Sequence, residues 1–473
     1  LSNKQFYLEA LEKKINNLNY QLSEIYKSRG YKAVLKYYKI RDFVLPKNSL
    51  RRKIVKFLFK DSVKRLKSNI NLKVMRRSKN NFFSEQVSYS DINSYEKEIF
   101  NNDILKQKVD HNKILLIDCC LPTFDKDSGS LRMYSIMQIL VDLGFKITFV
   151  PYDFECNEPY LSYLTNLGIE VLCNNAAFEE HLRKYGPSFA YAFLSRPEIA
   201  FKYLPLVQAY AINSTIIYDT VDLHFIRLKR EFEVLKDYTK KQQSDYYKQI
   251  EFHNMNNADI TLVVTEEEKE CILKELPNIN VKIVPNIHSV SDNVPSYRQR
   301  KDIMFIGGFR HYPNVDAVLY FKESIWPIIH QEDENIRFIC VGSNPPEEII
   351  KLNSKDIIVT GYVENIDYFF ETCRVFVAPL RFGAGMKGKV GQSMSYGLPV
   401  VTTSIGAEGL KLNNFKNALI TDNAKEFAKY TLELYNNEKL WNELSTNSIN
   451  HIKLNFSFQS VKKNIKEVLK LES

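Results

Sequence analysis

The chain has 473 residues, of which 44% are hydrophobic and 13% are aromatic. One hydrophobic core rarely serves so long a chain, so we expect two or three domains, and this apolar content excludes global disorder. The net charge of +9 is uneven, because residues 27–79 hold 19 Lys and Arg side chains against Asp42 and Asp61. The rest of the chain is therefore mildly acidic. No run approaches the roughly 18 apolar residues of a membrane span, and no signal-peptide pattern opens the sequence.

Two features bear on the chain's origin and compartment. The first residue is Leu1 and not Met, so we expect the chain to be part of a longer protein. The sequence has 7 cysteines, an odd number, and none has the spacing of a zinc site. We therefore expect reduced thiols in the core, a cytoplasmic location and no metal centre.

The first 26 residues carry a heptad pattern of apolar side chains. The pattern consists of Leu8, Leu11, Ile15, Leu18, Leu22 and Ile25. Such spacing predicts a coiled-coil-like helix over residues 1–26. The helix would either self-associate with another copy or pack on its own chain.

Residues 27–79 form a basic amphipathic segment in which Lys and Arg alternate with bulky apolar side chains. This pattern suits an anionic membrane surface, and a solvated basic face is the alternative. Nucleic acid is the other anionic partner, but no nucleic-acid-binding fold signature is present, so we expect none. A protein with this segment would sit peripherally on the inner face of the membrane. Residues 80–111 are rich in Asn, Ser and Asp and are predicted to be a linker.

From residue 112 onwards, short apolar runs alternate with helical stretches. The predicted strands are Ile114–Asp118, Lys146–Val150, Ile169–Leu172, Ala190–Leu194, Thr215–Asp219, Ile260–Val264, Ile303–Ile306, Ile336–Val341, Ile357–Thr360, Val375–Ala378 and Pro399–Thr402. Two such series predict an α/β protein with two Rossmann-like parallel-sheet domains, at 112–290 and 291–455. Parallel sheets bind ligands at the carboxyl ends of their strands, so the domains would face each other across a cleft. Residues 456–473 are predicted to be a final helix.

A glycine-rich loop follows the predicted strand Val375–Ala378. It contains Gly383, Gly385 and Gly388 together with Lys387 and Lys389, and a predicted helix follows from Val390. Glycines allow the backbone to approach an anion, and a helix N-terminus and two lysines attract one. The sequence therefore predicts a phosphate or diphosphate site, although the pattern is not that of a P-loop.

Other strand ends carry polar side chains that would lie at the same cleft. Arg310 follows Gly307 and Gly308 after the strand Ile303–Ile306, and its permanent charge suits a leaving diphosphate. In the first domain, Ser128 and Gly129 lie in a strand-to-helix turn. Asp222 and His224 follow the strand Thr215–Asp219.

These residues resemble glycosyltransferase family 4, also called glycosyltransferases group one. The resemblance is carried by 305–410, above all the glycine loop with Gly391–Leu410, by Gly308–Ala317, Thr360–Val363 and Tyr218–His224, and by Pro285 with Asn286. It implies a GT-B fold and a retaining, metal-independent glycosyltransferase that needs no cofactor. The substrates would be a nucleotide-diphosphate sugar and a glycan or glycoconjugate acceptor, in bacterial surface polysaccharide or glycoprotein synthesis. It also implies that the last helix crosses back onto the first domain.

The resemblance assigns roles to individual residues. Arg310 and Lys389 would be catalytic, stabilising the departing diphosphate, and His224 would contact the transferred sugar or the reacting centre. The expected donor-binding residues are Gly307, Gly308, Tyr362, Val363, Gly385, Met386, Lys387, Gly388, Gln392 and Glu408. Tyr362 and Val363 would lie against the base, and Glu408 near the sugar hydroxyls. Ser128, Gly129 and Asp222 would line the cleft on the acceptor side.

The sequence departs from the family's pattern at two positions. The family commonly has two glutamates eight residues apart, and Ala384 and Gln392 stand there in this chain. A glutamine amide accepts hydrogen bonds more weakly than a carboxylate. A non-catalytic sugar-nucleotide-binding scaffold is therefore an alternative, and a GT-B epimerase is another.

Overall fold

The computed structural model of the chain describes residues 108–292 and 294–471. The predicted coiled-coil-like helix (1–26), the basic segment (27–79) and nearly all of the predicted linker (80–111) lie outside these residues.

Within the described residues, the first domain contains a seven-stranded, wholly parallel sheet. Its strands are β1 (Asp110–Asp118), β2 (Lys146–Pro151), β3 (Glu170–Val171), β4 (Phe189–Ser195), β5 (Thr215–Asp219), β6 (Ile260–Val263) and β7 (Val281–Ile283). Their order in the sheet is β3-β2-β1-β4-β5-β6-β7. Its α-helices are α1 (Ser128–Asp142), α2 (Tyr160–Asn166), α3 (Asn175–Tyr185), α4 (Pro197–Tyr210), α5 (His224–Leu235), α6 (Tyr238–Asn257) and α7 (Glu266–Glu275).

The second domain contains a six-stranded parallel sheet within the same described part of the chain. Its strands are β8 (Ile303–Ile306), β9 (Phe338–Val341), β10 (Ile357–Gly361), β11 (Val375–Ala378), β12 (Val400–Thr402) and β13 (Leu419–Ile420), in the order β10-β9-β8-β11-β12-β13. Its helices are α8 (Tyr312–Tyr320), continued by a π-helical turn (Phe321–Ile325) into α9 (Trp326–Glu332), then α10 (Glu347–Ile350), α11 (Asp367–Thr372), α12 (Gly388–Ser395), α13 (Ser404–Ala407), α14 (Ala424–Asn436), α15 (Glu438–Asn455) and α16 (Phe458–Leu469). The two-domain parallel-sheet architecture expected from the sequence is confirmed.

The strands are apolar on both faces because helices cover both sides of each sheet. In β1, Ile114 and Leu116 face one cluster of buried side chains, while Leu115 and Ile117 face another. This alternation is the period of two that an extended strand imposes. Continuous apolar runs in the sequence therefore mark the central strands.

Helix α16 packs on the first domain, although it follows the second in sequence. Val461, Ile465 and Val468 join the same buried cluster as Met133 and Ile136 of α1. Their spacing of four and three residues places them on one helix face. The chain thus ends on the domain with which the described part begins.

The cysteine expectation is wrong for one pair. Cys156 and Cys173 form a disulfide with a Cα–Cα distance of 5.8 Å, whereas the other cysteines are free. The bonded pair joins the loop after β2 to the residues after β3, two neighbouring strands of the sheet. Sequence spacing does not reveal this proximity, which arises only when the sheet forms.

No helix among the described residues combines the length and the apolar character needed to cross a membrane.

Candidate active site

The glycine-rich segment 381–389 joins β11 to α12 at the carboxyl end of the second sheet. Gly385 has a φ of 66°, a left-handed conformation that glycine adopts without the steric cost of a side chain. A Cβ atom on Gly385 would lie 3.0 Å from the Cβ of Asp222, and one on Gly388 would lie 2.7 Å from the Cβ of Ser128. The glycines are therefore required where the two domains meet, and Asp222 and Ser128 border the loop.

Helix α12 starts inside this loop. No side chain among the described residues caps its first turn, so its first backbone N–H groups are available to an anion. The positive end of the helix dipole lies at the same place. This geometry suits a phosphate group.

Lys389 lies in the first turn of α12 and reaches the loop after β8. Its Nζ donates to the side-chain oxygen of Asn314, lies 4.5 Å from the ring centre of Phe305, and would be 2.7 Å from a Cβ on Gly307. Burial and the neighbouring Lys387 lower the pKa of Lys389 to about 7. An anion beside it would reverse this shift.

Asn314 is a residue that the sequence did not single out. It is buried, accepts from Lys389 and donates from Nδ2 to the carbonyl oxygen of Gly308 at 2.7 Å. It therefore fixes the ammonium of Lys389 over the loop that contains Gly307 and Gly308.

Lys387 supports the loop from within. Its buried Nζ donates to the carbonyl oxygens of Ala384 at 3.0 Å and Gly385 at 2.7 Å and lies 3.6 Å from the carboxylate of Glu408. Burial lowers the pKa of Lys387, and Glu408 opposes that shift. The donor-binding role expected for Lys387 stays a prediction, while its bonds to the loop are a structural role.

Glu408 pairs with an arginine of the first domain that the sequence reasoning missed. Both terminal nitrogens of Arg230 donate to the Glu408 carboxylate at 2.7 Å, and one of them also donates to the carbonyl oxygen of Gly383 at 2.7 Å. This bidentate pair links α5 directly to the glycine loop. The contact predicted between Glu408 and sugar hydroxyls stays a prediction.

Asp222 contacts two side chains of α5. Its carboxylate lies 3.2 Å from Nδ1 of His224 and accepts from Nε of Arg227 at 2.9 Å. Burial acts to lower the pKa of His224, but Asp222 outweighs it, so that pKa is raised. Since Nδ1 faces Asp222, Nε2 is the ring nitrogen that a substrate could contact.

Two buried carboxylates hold the turn that carries His224. Glu251 accepts from the backbone N–H groups of His224 and Phe225 at 2.9 and 3.1 Å, and Glu268 accepts from those of Leu223 and Val264 at 3.1 and 3.2 Å. Burial raises the pKa of Glu251 to about 8 and that of Glu268 to about 7. The position of His224 is therefore set by buried hydrogen bonds at the start of α5.

The remaining predicted donor residues differ in exposure. Arg310 is exposed and makes no hydrogen bond or ion pair with residues 108–292 or 294–471. Tyr362, directly after β10, is 61% exposed, and Val363 packs against the buried cluster that contains Met386. Gln392 is half-buried on α12. The roles expected for these side chains stay predictions.

Arg196 is a second arginine that sequence reasoning did not assign to the site. It follows β4 with a φ of 72°, which is unusual for a residue with a side chain. Its Nε donates to Asp118 at 2.8 Å, and a terminal nitrogen would be 3.5 Å from a Cβ on Gly129. A positive φ is not visible in a sequence, so no local pattern marked this residue.

No group of three or more His, Cys, Asp or Glu side chains with the arrangement of a metal site occurs in the described part of the chain.

The second domain matches a known protein family. Residues 300–437 match the family model described as glycosyl transferases group 1. A protein in the cps region of Klebsiella pneumoniae is 24% identical over 169 residues, which cover 34% of this chain and 44% of that relative. The chain thus spans less than half the length of this relative.

Solved structures share the fold at low sequence identity. Sucrose-phosphate synthase from Thermosynechococcus elongatus superposes with a TM-score of 0.57 at 12% identity, covering 76% of this chain and 98% of its own. HepE from Anabaena, in complex with UDP and glucose, gives 0.53 at 14% identity, covering 76% and 100%. TarM gives 0.50 at 17% identity, covering 62% of this chain and 57% of TarM.

These structures have the GT-B arrangement of two parallel-sheet domains that the chain also shows. The glycine loop, Lys389 and α12 all lie inside residues 300–437, the segment that matches the group 1 glycosyl transferases.

Proposed function

We propose that the chain transfers a sugar, with retention of configuration and without a metal ion, from a nucleoside-diphosphate donor to a glycan or glycoconjugate acceptor. The observation that carries this proposal is the uncapped N-terminus of α12 beside Lys389 in the matched domain. A neighbour of the same fold is described in complex with UDP and glucose. The relative from a cps region supports a role in surface polysaccharide or glycoprotein synthesis.

The donor diphosphate would bind across the first turn of α12 and the ammonium of Lys389. In the reaction, the bond between the anomeric carbon and the diphosphate oxygen breaks, and its electron pair stays on that oxygen. The acceptor oxygen bonds to the carbon, and the acceptor's proton passes to the departing diphosphate. Fixed N–H groups and a lysine stabilise the developing negative charge without reorganising during the step. We also assign Arg310 to this charge, because its exposed guanidinium follows β8 at the same sheet edge.

His224 would contact the transferred sugar from the first domain. Asp222 and Glu251 hold the start of α5, so Nε2 of His224 is held in place before the substrate arrives. Pre-organised positioning of this kind lowers the entropic part of the barrier.

Two other functions would use the same fold. A non-catalytic scaffold that binds sugar nucleotides is favoured by Gln392 and Ala384, which stand where carboxylates are common in the family. An epimerase would turn over the nucleotide sugar without an acceptor. Dependence of turnover on a second substrate separates a transferase from both.

The proposed setting is the cytoplasm, with contact to an anionic membrane surface through residues 27–79 and self-association through residues 1–26. The Cys156–Cys173 disulfide is an observation against the cytoplasmic part of this proposal, because such bonds persist mainly in oxidising compartments. Sedimentation with anionic vesicles, with and without residues 1–79, tests the membrane part of this proposal.

The proposed activity is tested by release of nucleoside diphosphate from a panel of nucleotide sugars, with and without glycan acceptors. We expect Lys389→Ala and Arg310→Ala to reduce release by at least about tenfold each, the effect of losing one charged hydrogen bond. Lys351→Ala, at an exposed lysine of the same domain that pairs with Glu347, is the control and should match the unmodified chain. Wild-type-like turnover in both site variants would contradict the assignment, and donor binding without any turnover would favour the scaffold.

A further inference from the structure

The arginines of the described structure differ in what their terminal nitrogens contact. Arg132 binds Asp219 with both terminal nitrogens, and Arg230 binds Glu408 in the same way. Arg227 is different, because its bond to Asp222 uses Nε, as the bond of Arg196 to Asp118 also does. No residue of 108–292 or 294–471 accepts a hydrogen bond from the two terminal nitrogens of Arg227. An arginine anchored in this way keeps its planar pair of donors for another partner.

Arg227 lies where the first domain meets the donor loop. Asp222, its anchor, is the residue that a Cβ on Gly385 would approach to 3.0 Å. Arg227 also lies one turn beyond His224 on α5, and Asp222 binds both side chains. The guanidinium is therefore held beside the reacting part of the proposed site.

His311 is affected by positive charges from both domains. His311 is exposed, and desolvation together with the positive charges of Arg227, Lys389 and Lys387 lowers its pKa to about 4, although Asp222 opposes this shift. Arg227 of the first domain and Lys389 of the second thus both act on His311. Such a concentration of positive charge attracts an anion.

Three other cations near the donor loop already have partners. Lys387 donates to two loop carbonyls, Arg230 is paired with Glu408, and Lys389 donates to Asn314. Arg227 has one carboxylate partner, Asp222, which it shares with His224. Among these four cations, Arg227 is the one whose two terminal nitrogens are both available to a ligand.

We propose that Arg227 is the first domain's contribution to the donor diphosphate site, and that its terminal nitrogens bind the distal phosphate. The inference rests on the proposed function and adds a diphosphate-binding residue from the first domain. The diphosphate would then be bound by residues of both domains, Lys389 of the second and Arg227 of the first.

Calorimetric titration tests this with nucleoside diphosphates and the matching monophosphates, using UDP, GDP, ADP, CDP and dTDP to find the base that binds. We expect Arg227→Gln to weaken binding of the diphosphate by at least about tenfold and that of the monophosphate by less than about twofold. Arg227→Lys keeps the charge but loses the planar pair of N–H donors, so its diphosphate affinity should lie between those of Arg227→Gln and the unmodified chain. Arg298→Gln, an exposed arginine paired with Glu438, is the control.

The possible outcomes distinguish a failure of the Arg227 assignment from a failure of the proposed function. If the unmodified chain binds none of the diphosphates, the proposed function fails and the inference fails with it. If it binds one and Arg227→Gln keeps the same preference for diphosphate over monophosphate, only the inference is overturned. An equal loss for both ligands, or a selective diphosphate loss in Arg196→Gln instead, would also overturn it.

Discussion

At the scale of single residues, Lys389 makes donor binding depend on pH. Burial and Lys387 lower its pKa to about 7 in the free protein, so about half of these side chains are neutral at pH 7. A bound diphosphate stabilises the charged form and raises this pKa, so binding above pH 7 must take up a proton. We expect the Kd for a nucleoside diphosphate to rise by up to about tenfold per pH unit above 7.

Calorimetry in buffers of different ionisation enthalpy measures this proton uptake directly. Lys389→Gln removes the titrating group and should bind weakly, with a flatter pH profile. A flat profile in the unmodified chain between about pH 7 and pH 9 would contradict the assignment of the diphosphate to Lys389.

The cysteines give a second prediction at this scale. The structure has one disulfide, Cys156–Cys173, and 5 free cysteines. Alkylation of the denatured, unreduced protein followed by mass spectrometry should therefore label five thiols, and prior reduction should expose all 7. Seven labelled thiols without reductant would restore the expectation of a fully reduced chain.

The placement of single residues could be predicted from the sequence where a local pattern specifies it. The loop glycines and Lys389 follow a strand and begin a helix, and neighbours in sequence are sufficient to indicate that arrangement. Arg230, Asn314 and Arg196 were missed because their partners lie far away in the chain. Such pairings are set by how the two sheets pack, and no local spacing encodes them.

At the scale of structural elements, the link between β11 and α12 depends on Gly385. Alanine there would incur about 1–2 kcal/mol for the left-handed backbone, and its Cβ would press on Asp222 at 3.0 Å. We expect Gly385→Ala to weaken diphosphate binding by more than about tenfold, because the loop must shift away from the first domain. Calorimetric titration with the same diphosphate measures this change.

Gly144 offers a matched control for this substitution. It has a φ of 85° and no atom within 4 Å of a built Cβ, so Gly144→Ala incurs the backbone cost without a contact. Its diphosphate affinity should equal that of the unmodified chain. Equal affinities in both variants would show that the contact between Gly385 and Asp222 has no part in the site.

Some strand boundaries were predictable from short apolar runs in the sequence. The run Ile303–Ile306 is a strand with those bounds, and Val375–Ala378 is another. Strands β7 and β13 have 3 and 2 residues, too few for a period to be visible. They are defined by their hydrogen bonds to β6 and β12, which the sequence does not display.

At the scale of the whole molecule, the Arg230–Glu408 pair joins the two domains. The pair is half-buried and bidentate, and charged hydrogen bonds of this kind contribute about 1.5–3 kcal/mol. We expect Glu408→Ala to favour a more open arrangement, with a larger radius of gyration by small-angle X-ray scattering and weaker diphosphate binding. Restored compactness in the charge-swapped chain, Arg230→Glu with Glu408→Arg, would assign the effect to the pair. Unchanged scattering in Glu408→Ala would contradict it.

The two-domain organisation followed from the order of strands and helices, because alternating elements specify parallel sheets. The contacts between the two domains could not be predicted from that order. Contacts such as Ser128 against Gly388 depend on the closure of the cleft, which is a property of the folded chain. The predictions for residues 1–26 and 27–79 lie outside the described residues and stay predictions.

The central claim is that a donor diphosphate binds where the glycine loop meets α12. Its most direct test is a crystal structure of the chain with the nucleoside diphosphate that the titrations select. We predict phosphate oxygens within hydrogen-bond distance of the first N–H groups of α12 and of Nζ of Lys389. A diphosphate bound elsewhere, with no phosphate at the start of α12, would contradict the claim.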